Sequence, residues 1–254
     1  MSKEDSKAPK VSFPLKPPGQ AKVWNVVEVA IKGSDKPPIK FSIQEVPEDR
    51  YEDVLDHMCT YFIADEPICQ CTNGKDDPEF VLSFRRFWTS MLAQGLTVGA
   101  FTEDPNGGKP ILAGVNLLGL SFKDDDSNID EIVTSERAKQ IIHVMTKLSK
   151  TVCPFEKYGI DTYLTAMGLS VHPSYRGAAL GKHILQARES IGREYNISVT
   201  VTWFTSPISQ TLAERCNFEN LVVRDYDDIV DEKGNKIFPG IESKRVRIMG
   251  KRLL

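Results

Sequence analysis

One segment, residues 169–182, constrains the fold of this chain more than any other. It reads LSVHPSYRGAALGK and joins an apolar, β-prone run at 162–171 to an amphipathic helical pattern at 180–195. A further β-prone run follows at 197–204. A strand, a helix and a second strand in this order predict a right-handed crossover between two parallel strands.

The loop within this segment has the composition of a phosphate site. Small residues stand at 177, 178, 179 and 181, so a phosphate can approach the backbone closely. The N–H groups at a helix start are unpaired and carry partial positive charge, and they can hold a pyrophosphate. Arg176 and Lys182 add full charges. From spacing alone, a tight turn that merely begins a helix remains the alternative.

The rest of the chain mixes β-prone runs with helical patterns. The further β-prone runs are 23–31, 39–46, 96–101, 110–122, 218–226 and 243–249, and the further helices are 47–66, 77–94, 134–150 and 206–215. Asp104-Pro105-Asn106-Gly107-Gly108 predicts a hairpin between two of the strands. We therefore expect a mixed α/β fold with a central, mixed, twisted β-sheet flanked by helices.

Length and composition limit the kind of protein. The chain has 254 residues, enough for one sizeable core, so we expect a single domain over 21–254 after a disordered tail at 1–20. Its net charge of −3 gives no basic excess for nucleic acid. The sequence contains no run of about 18 apolar residues, so we expect no membrane span. The start, MSKEDSKAPK, lacks a secretory signal, and we expect a cytoplasmic monomer.

The five cysteines do not predict a metal site. Their odd number indicates reduced thiols. Cys69 and Cys71 form a C-x-C pair, but only His57 lies near them in sequence as a further ligand. We therefore expect ordinary thiols and no metal.

The loop resembles a known coenzyme motif. The GNAT acetyltransferases place the pattern Q/R-x-x-G-x-G/A at a strand-to-helix junction, where it binds the pyrophosphate of acetyl-CoA. Arg176, Ala179 and Gly181 occupy its three defined positions, with Ala179 in place of the usual glycine. The resemblance implies the GNAT fold with acetyl-CoA as co-substrate. It also implies a coenzyme site formed by Leu169, Ser170, Val171, Arg176, Gly177, Ala178, Ala179, Leu180, Gly181 and Lys182.

A second resemblance narrows the family. Residues 62–69, FIADEPIC, resemble the F-x-x-D-E-P-L segment of the insect arylalkylamine N-acetyltransferases, and 245–251 is also similar to that family. The Glu of the D-E-P motif is the proposed general base there, which corresponds to Glu66. Pro67 disfavours helical geometry at Glu66 and would mount its carboxylate at a fixed helix end. From the residues alone, a solvated acidic residue is the alternative.

The group that protonates the leaving thiolate is less clearly marked. Many GNAT enzymes carry a Tyr five residues before a G-F pair, but this chain has Ala213 before Asn217-Phe218. The insect enzymes have serines after the preceding strand, and Thr205 and Ser209 fall on those positions. Ser206, which precedes Pro207, is a good helix cap, and Ser209 belongs either to the site or to the surface.

Together the resemblances imply acetyl transfer from acetyl-CoA to a small arylalkylamine such as dopamine, tryptamine, octopamine or serotonin. An alkylamine is protonated at neutral pH, with a pKa of about 10, so a base must remove a proton before attack. Backbone N–H groups at 169–171 could stabilise the oxyanion. A polyamine or agmatine acetyltransferase on the same fold and a non-catalytic acyl-CoA-binding module are the alternatives.

Overall fold

The computed structural model describes residues 13–15, 19–30, 37–124 and 129–254. Of the predicted tail, only 13–15 and 19–20 are among them. The Leu15 N–H donates to the Gln94 carbonyl at 3.3 Å, and the Phe13 and Phe122 rings pack edge to face. The rest of the tail lies outside the described residues. So do 31–36, which begin at the end of the predicted run 23–31 and precede the run 39–46, and 125–128, which lie between the predicted strand 110–122 and the predicted helix 134–150.

The strands of the described chain form one eight-stranded sheet in the order β1-β2-β3-β4-β5-β6-β8-β7. Neighbours are antiparallel except β5 and β6, which are parallel. The strands are β1 (Val23–Val29), β2 (Ile39–Glu45), β3 (Val98–Thr102), β4 (Ile111–Phe122), β5 (Thr162–Val171), β6 (Val199–Phe204), β7 (Glu219–Asp225) and β8 (Arg245–Arg252).

Helices flank this sheet. They are α1 (Tyr51–His57), α2 (Ile63–Asp65), α3 (Pro67–Cys71), α4 (Pro78–Leu92), α5 (Ile129–Ile132), α6 (Glu136–Lys150), α7 (Pro154–Tyr158), α8 (Leu180–Tyr195) and α9 (Pro207–Arg215). A π-helical segment, Met58–Phe62, joins α1 to α2. Short 3₁₀ turns cover Glu48–Arg50, Gly74–Asp76, Pro173–Tyr175 and Tyr226–Asp228.

The sheet has a hydrophobic core on each face. Met58 of the π-helical segment and Trp88 of α4 are fully buried on one face, in a core that α6 completes. Ile184 and Ile191 of α8 pack on the other face. β3 is buried along its whole length, as expected for a strand covered on both sides. This layering leaves the carboxyl ends of β5 and β6 as the place where helices of both faces meet.

The mixed α/β fold predicted from the sequence is confirmed, including the parallel crossover through α8. Three short helices were missed, namely α3, α5 and α7. Pro67 ends one helix, as predicted, but is also the first residue of α3, because a proline needs no N–H partner at that position. The insertion of β8 between β6 and β7 was not predicted either.

Candidate active site

β5 and β6 separate towards their carboxyl ends, and the gap between them is called the cleft below. In these two fully described strands the only pairing joins Leu164 to Thr200. The His172 N–H donates to the Ala113 carbonyl of β4 at 2.9 Å. Because backbone groups alternate in direction along a strand, those of Leu169 and Val171 face β6 and the cleft. Ser170, the third residue predicted from this strand, pairs with Val115 of β4 instead.

A bulge in β5 borders the cleft. Met167 and Gly168 lie opposite the single residue Leu117, where the register with β4 shifts. The Trp88 indole N–H donates to the Met167 carbonyl at 3.0 Å. The Asn116 amide donates to the Gly168 carbonyl at 2.8 Å. Side chains therefore satisfy both carbonyls of the bulge and fix its conformation.

The predicted phosphate loop begins α8 without a side-chain cap. Gly177 and Ala179 both have positive φ, +81° and +54°, and Ala179 occupies the cap position without a side-chain hydrogen bond. The first N–H groups of α8 are therefore available to a ligand. A β-carbon on Gly181 would lie 3.5 Å from Leu169 and 3.7 Å from Val171. The start of α8 thus packs against the last residues of β5.

The two cations of the loop differ in their contacts. Arg176 donates to the Val171 carbonyl at 2.9 Å and forms an ion pair with Asp65 of α2. This pair connects the D-E-P segment to the loop. Lys182 has no ion-pair partner among the described residues. Its charge is therefore free for an anion.

Glu66 stands at the corner between α2 and α3. Its backbone is extended, with φ −74° and ψ 125°, as Pro67 predicted. One carboxylate oxygen, Oε2, accepts the Cys69 N–H at 2.7 Å and caps α3. The other, Oε1, is buried and has no hydrogen-bond partner among the described residues. One oxygen holds the carboxylate in place while the second is available as an acceptor.

Tyr226 is hydrogen-bonded to Thr205 and is influenced by the charge of Glu66. Burial, and then the charge of Glu66, raise the pKa of the Tyr226 hydroxyl. That hydroxyl donates to the Thr205 carbonyl at 3.2 Å. The Thr205 hydroxyl has no hydrogen-bond partner in the described chain. One buried phenol therefore interacts with both Glu66 and Thr205, with the first through its charge and with the second through a hydrogen bond.

Ser206 and Ser209 form a reciprocal cap at the start of α9. The Ser209 N–H donates to Ser206 Oγ at 3.1 Å, and the Ser206 N–H donates to Ser209 Oγ at 3.2 Å. Ser206 is thus the predicted helix cap, and Ser209 shares that role. Ala213, at the position of the usual tyrosine, is fully buried.

His57 supports β5 from the helical side. The His57 Nε2 and Ser170 Oγ atoms share a hydrogen bond of 3.0 Å. Burial, and then His172 and Arg176, lower the pKa of His57 to about 4, so the ring is neutral at physiological pH. A neutral imidazole can hold Ser170 without adding a charge.

The described residues contain no group of three or more His, Cys, Asp or Glu side chains that could hold a metal ion. The five cysteines are free. In the described ranges no helix is both long and apolar enough to cross a membrane.

Sequence patterns did not point to Tyr226 or Asn116. Each contacts the site from a strand or helix distant in sequence, and a single buried aromatic or amide residue resembles any other core residue. The Asp65–Arg176 pair had a clearer signal, because both residues belong to the motifs that carried the resemblances.

Comparison with solved structures found proteins of the same architecture. The protein named arylalkylamine N-acetyltransferase 7 of the yellow fever mosquito Aedes aegypti is 31% identical, with a TM-score of 0.83, over 97% of this chain and 98% of that one. Mosquito arylalkylamine N-acetyltransferase like 5b is 25% identical, with a TM-score of 0.72, over 84% and 99% of the two chains. The Drosophila melanogaster polyamine N-acetyltransferase that forms N-acetylagmatine shares the fold at 18% identity and a TM-score of 0.68, over 84% and 99%. No protein-family model and no curated protein matches the chain.

Proposed function

Because this chain belongs to the insect arylalkylamine N-acetyltransferases and is an N-acetyltransferase of the GNAT fold, we propose that it acetylates a small arylalkylamine from acetyl-CoA with Glu66 as general base. The observation that carries the mechanism is the Glu66 carboxylate. Its Oε2 is held by Cys69, and its Oε1 is buried without a partner in the described chain. A buried acceptor of this kind requires an explanation, and the proton of an incoming ammonium supplies one.

The cleft between β5 and β6 suits acetyl-CoA. The uncapped start of α8 offers N–H groups to the pyrophosphate, and Lys182 adds an unpaired cation. The backbone of Leu169 and Val171 faces the same cleft and would pair with the pantetheine arm. Their N–H groups would also stabilise the oxyanion that forms as the thioester is attacked.

The reaction then balances in one addition and one elimination. Glu66 takes a proton from the ammonium, directly or through water, and the free amine attacks the thioester carbonyl carbon. The C–S bond breaks as the carbonyl reforms, CoA leaves as a thiolate, and the thiolate takes up the second proton that the attacking nitrogen loses as it becomes the amide. With a pKa of about 8.5 by analogy with Cys, the thiolate is a fair leaving group. Thr205 and Ser209 are the groups proposed to assist it.

The aromatic side chains packed beside the bulge in β5 favour an arylalkylamine substrate over a polyamine. A β-carbon on Gly168 would meet Met58 at 2.6 Å and Phe62 at 3.0 Å, so these side chains lie directly against β5. The Phe62 and Trp88 rings pack edge to face with centroids 5.9 Å apart. Met58 and Trp88 are fully buried, so the half-buried Phe62 is the member of this group whose ring would stack on an aromatic substrate.

Glu66→Gln tests the mechanism, because it keeps the shape of the side chain and removes its basicity. We expect turnover to fall by about 10²–10⁴, with CoA binding retained and the acidic limb of the pH–rate profile lost. Thiol release is followed with dopamine, tryptamine, octopamine and serotonin against agmatine and spermidine. Glu52→Gln, which changes an exposed carboxylate on α1, is the control.

Each result that contradicts the proposal would overturn a different part of it. Near-normal turnover of Glu66→Gln with the same acidic limb removes Glu66 as base and leaves the enzyme class intact. A preference for agmatine or spermidine would show that the substrate is a polyamine or agmatine and not an arylalkylamine. Binding of CoA by the wild type without turnover on any amine identifies an acyl-CoA-binding module.

A further inference from the structure

Arg188 is a buried cation without an anion. It lies on the inner face of α8, and its side chain is among the largest fully buried ones, with the residue 1% exposed. Burial lowers its pKa to about 9, so the guanidinium is still charged at neutral pH. No described carboxylate pairs with it. Burying a charge without an opposite charge costs folding free energy. Arg188 is nevertheless buried, and it lies beside the cleft.

Neutral acceptors on two strands surround the guanidinium. Its Nε donates to Asn116 Oδ1 of β4 at 3.0 Å. Its Nη1 donates to Thr200 Oγ1 and Thr202 Oγ1 of β6 at 3.0 and 2.7 Å. The planar fork of an arginine thus joins β4 to β6 across the intervening β5.

Both arms of this network continue into β5. The Thr200 hydroxyl donates to the Leu164 carbonyl at 2.8 Å, at the one position where β5 and β6 pair. The Asn116 amide donates to the Gly168 carbonyl at 2.8 Å, in the bulge that borders the cleft. The guanidinium therefore contacts, through one residue each, the point where the strands separate and the bulge beside it.

We propose that Arg188 is a positioning residue for acetyl transfer: its guanidinium sets the angle at which β5 and β6 separate and, through Asn116, the orientation of Gly168. This inference rests on the proposed function, since it assigns the cleft to the acetyl-CoA thioester. It gives Arg188 no contact with substrate. Its effect reaches the reacting atoms through the backbone of β5.

The geometry separates a positioning role from coenzyme affinity. The loop at 176–182, which would hold the pyrophosphate, follows the carboxyl end of β5 and makes no contact with the Arg188 guanidinium in the described hydrogen bonds. Disturbing Arg188 should therefore misplace the thioester rather than release the coenzyme. A misplacement of about 1 Å can cost about 10² in rate.

Three variants test the proposal. Arg188→Lys keeps the charge and loses the planar fork, and Arg188→Met removes the charge at similar volume, a change that buried ion sites often tolerate. Asn116→Asp keeps an acceptor for Arg188 and loses the donor to Gly168. Ser83→Ala is the control, because Ser83 is a fully buried hydroxyl that bonds Thr134 and Ser135 away from the cleft.

We expect all three cleft variants to lower kcat by about 10² while the Kd for CoA stays close to wild type, and Ser83→Ala to change stability only. Full kcat in Arg188→Lys with loss in Arg188→Met would show that the charge acts without the geometry, and would overturn the proposal. Full kcat in Asn116→Asp would overturn it as well.

Amide hydrogen exchange at 168–171 gives a readout that does not need turnover. Faster exchange in Arg188→Lys and Asn116→Asp than in Ser83→Ala is the expected result, and unchanged exchange contradicts the proposal. A wild-type protein that fails to acetylate amines would count against the proposed function alone, since the exchange experiment would still decide whether Arg188 fixes the bulge.

Discussion

At the scale of single residues, Gly168 shows what a sequence pattern leaves open. The residue was predicted correctly as part of a strand. Its φ of +121° and its contact with Met58 and Phe62 depend on how the π-helical segment packs against β5. No local pattern encodes that packing. The extended backbone of Glu66, by contrast, was predictable, because Pro67 alone restricts the conformation of the residue before it.

Ala179 holds a conformation that suits glycine. Its φ is +54°, and a non-glycine residue there costs about 1–2 kcal/mol. A glycine is more flexible in the unfolded chain, which offsets about 0.5–1 kcal/mol. We therefore expect Ala179→Gly to stabilise the protein by up to about 1.5 kcal/mol and to leave CoA binding at least as tight as in the wild type. Urea unfolding and calorimetric titration with CoA measure both.

Gly181→Leu is the contrasting change in the same loop. The first carbon of a new side chain has room at 3.5 Å from Leu169 and 3.6 Å from Leu212, but a leucine adds three more carbons at the position that we assign to the pyrophosphate. CoA binding should weaken while the unfolding midpoint stays near wild type. If Gly181→Leu binds CoA normally, the pyrophosphate site has been placed wrongly.

At the scale of elements, helix starts and stops were the most predictable features. Asp77 before Pro78 begins α4 as expected, and Ser206 before Pro207 begins α9. Their signals are local, since a cap and a proline act within one turn. The π-helical segment was not predictable, because residues 51–65 follow an ordinary helical stripe and the wider turn depends on packing against β5.

Ser209→Ala separates the helix cap from a catalytic role. Loss of its hydroxyl removes the acceptor for the Ser206 N–H, so we expect the free energy of unfolding to fall by about 1 kcal/mol. This corresponds to a decrease of about 2–4 °C in Tm. We expect kcat to fall modestly, by less than about tenfold, because the CoA thiolate leaves readily without assistance. Thermal melts and steady-state kinetics report the two effects separately.

The matched control is Thr211→Val on the same helix. The Thr211 hydroxyl donates to the Pro207 carbonyl at 2.9 Å, and it lies on the exposed side of α9. A kcat for Ser209→Ala that equals wild type at every pH would leave Ser209 as part of the cap only.

For the whole molecule, the layers were predictable and the strand order was only partly so. The β3–β4 hairpin and the crossover from β5 to β6 follow from nearby residues, and both were predicted. The last two strands could be placed in either order. Their arrangement depends on contacts such as the buried Ile248 and Met249 of β8 against both neighbours, which no sequence spacing specifies.

His57 makes the stability of the whole fold depend on pH. Its pKa is lowered from 6.5 to about 4, so between these values the unfolded chain binds a proton that the native protein does not. Stability from this group is therefore full above pH 6.5 and falls as pH falls towards 4, by roughly 3 kcal/mol in total. We expect His57→Gln to flatten the pH dependence of urea unfolding between pH 7 and 4.

The control is His143→Gln, which removes a histidine whose side chain is 57% exposed on α6. The difference between the two variants isolates the buried ring. Equal slopes for wild type and His57→Gln in that interval would contradict the assignment.

The place of β8 in the sheet has a consequence for synthesis on the ribosome. β6 and β7 are both made before β8, yet neither pairs with the other, and β8 joins them. Until β8 emerges, a nascent chain that already contains Glu66 and the phosphate loop has two open strand edges. Open edges invite pairing with other chains. The part of the sheet that carries Thr205 and Ser209, at the end of β6, is therefore completed last during synthesis. The interval between synthesis of β7 and synthesis of β8 is when a chaperone would protect the chain most.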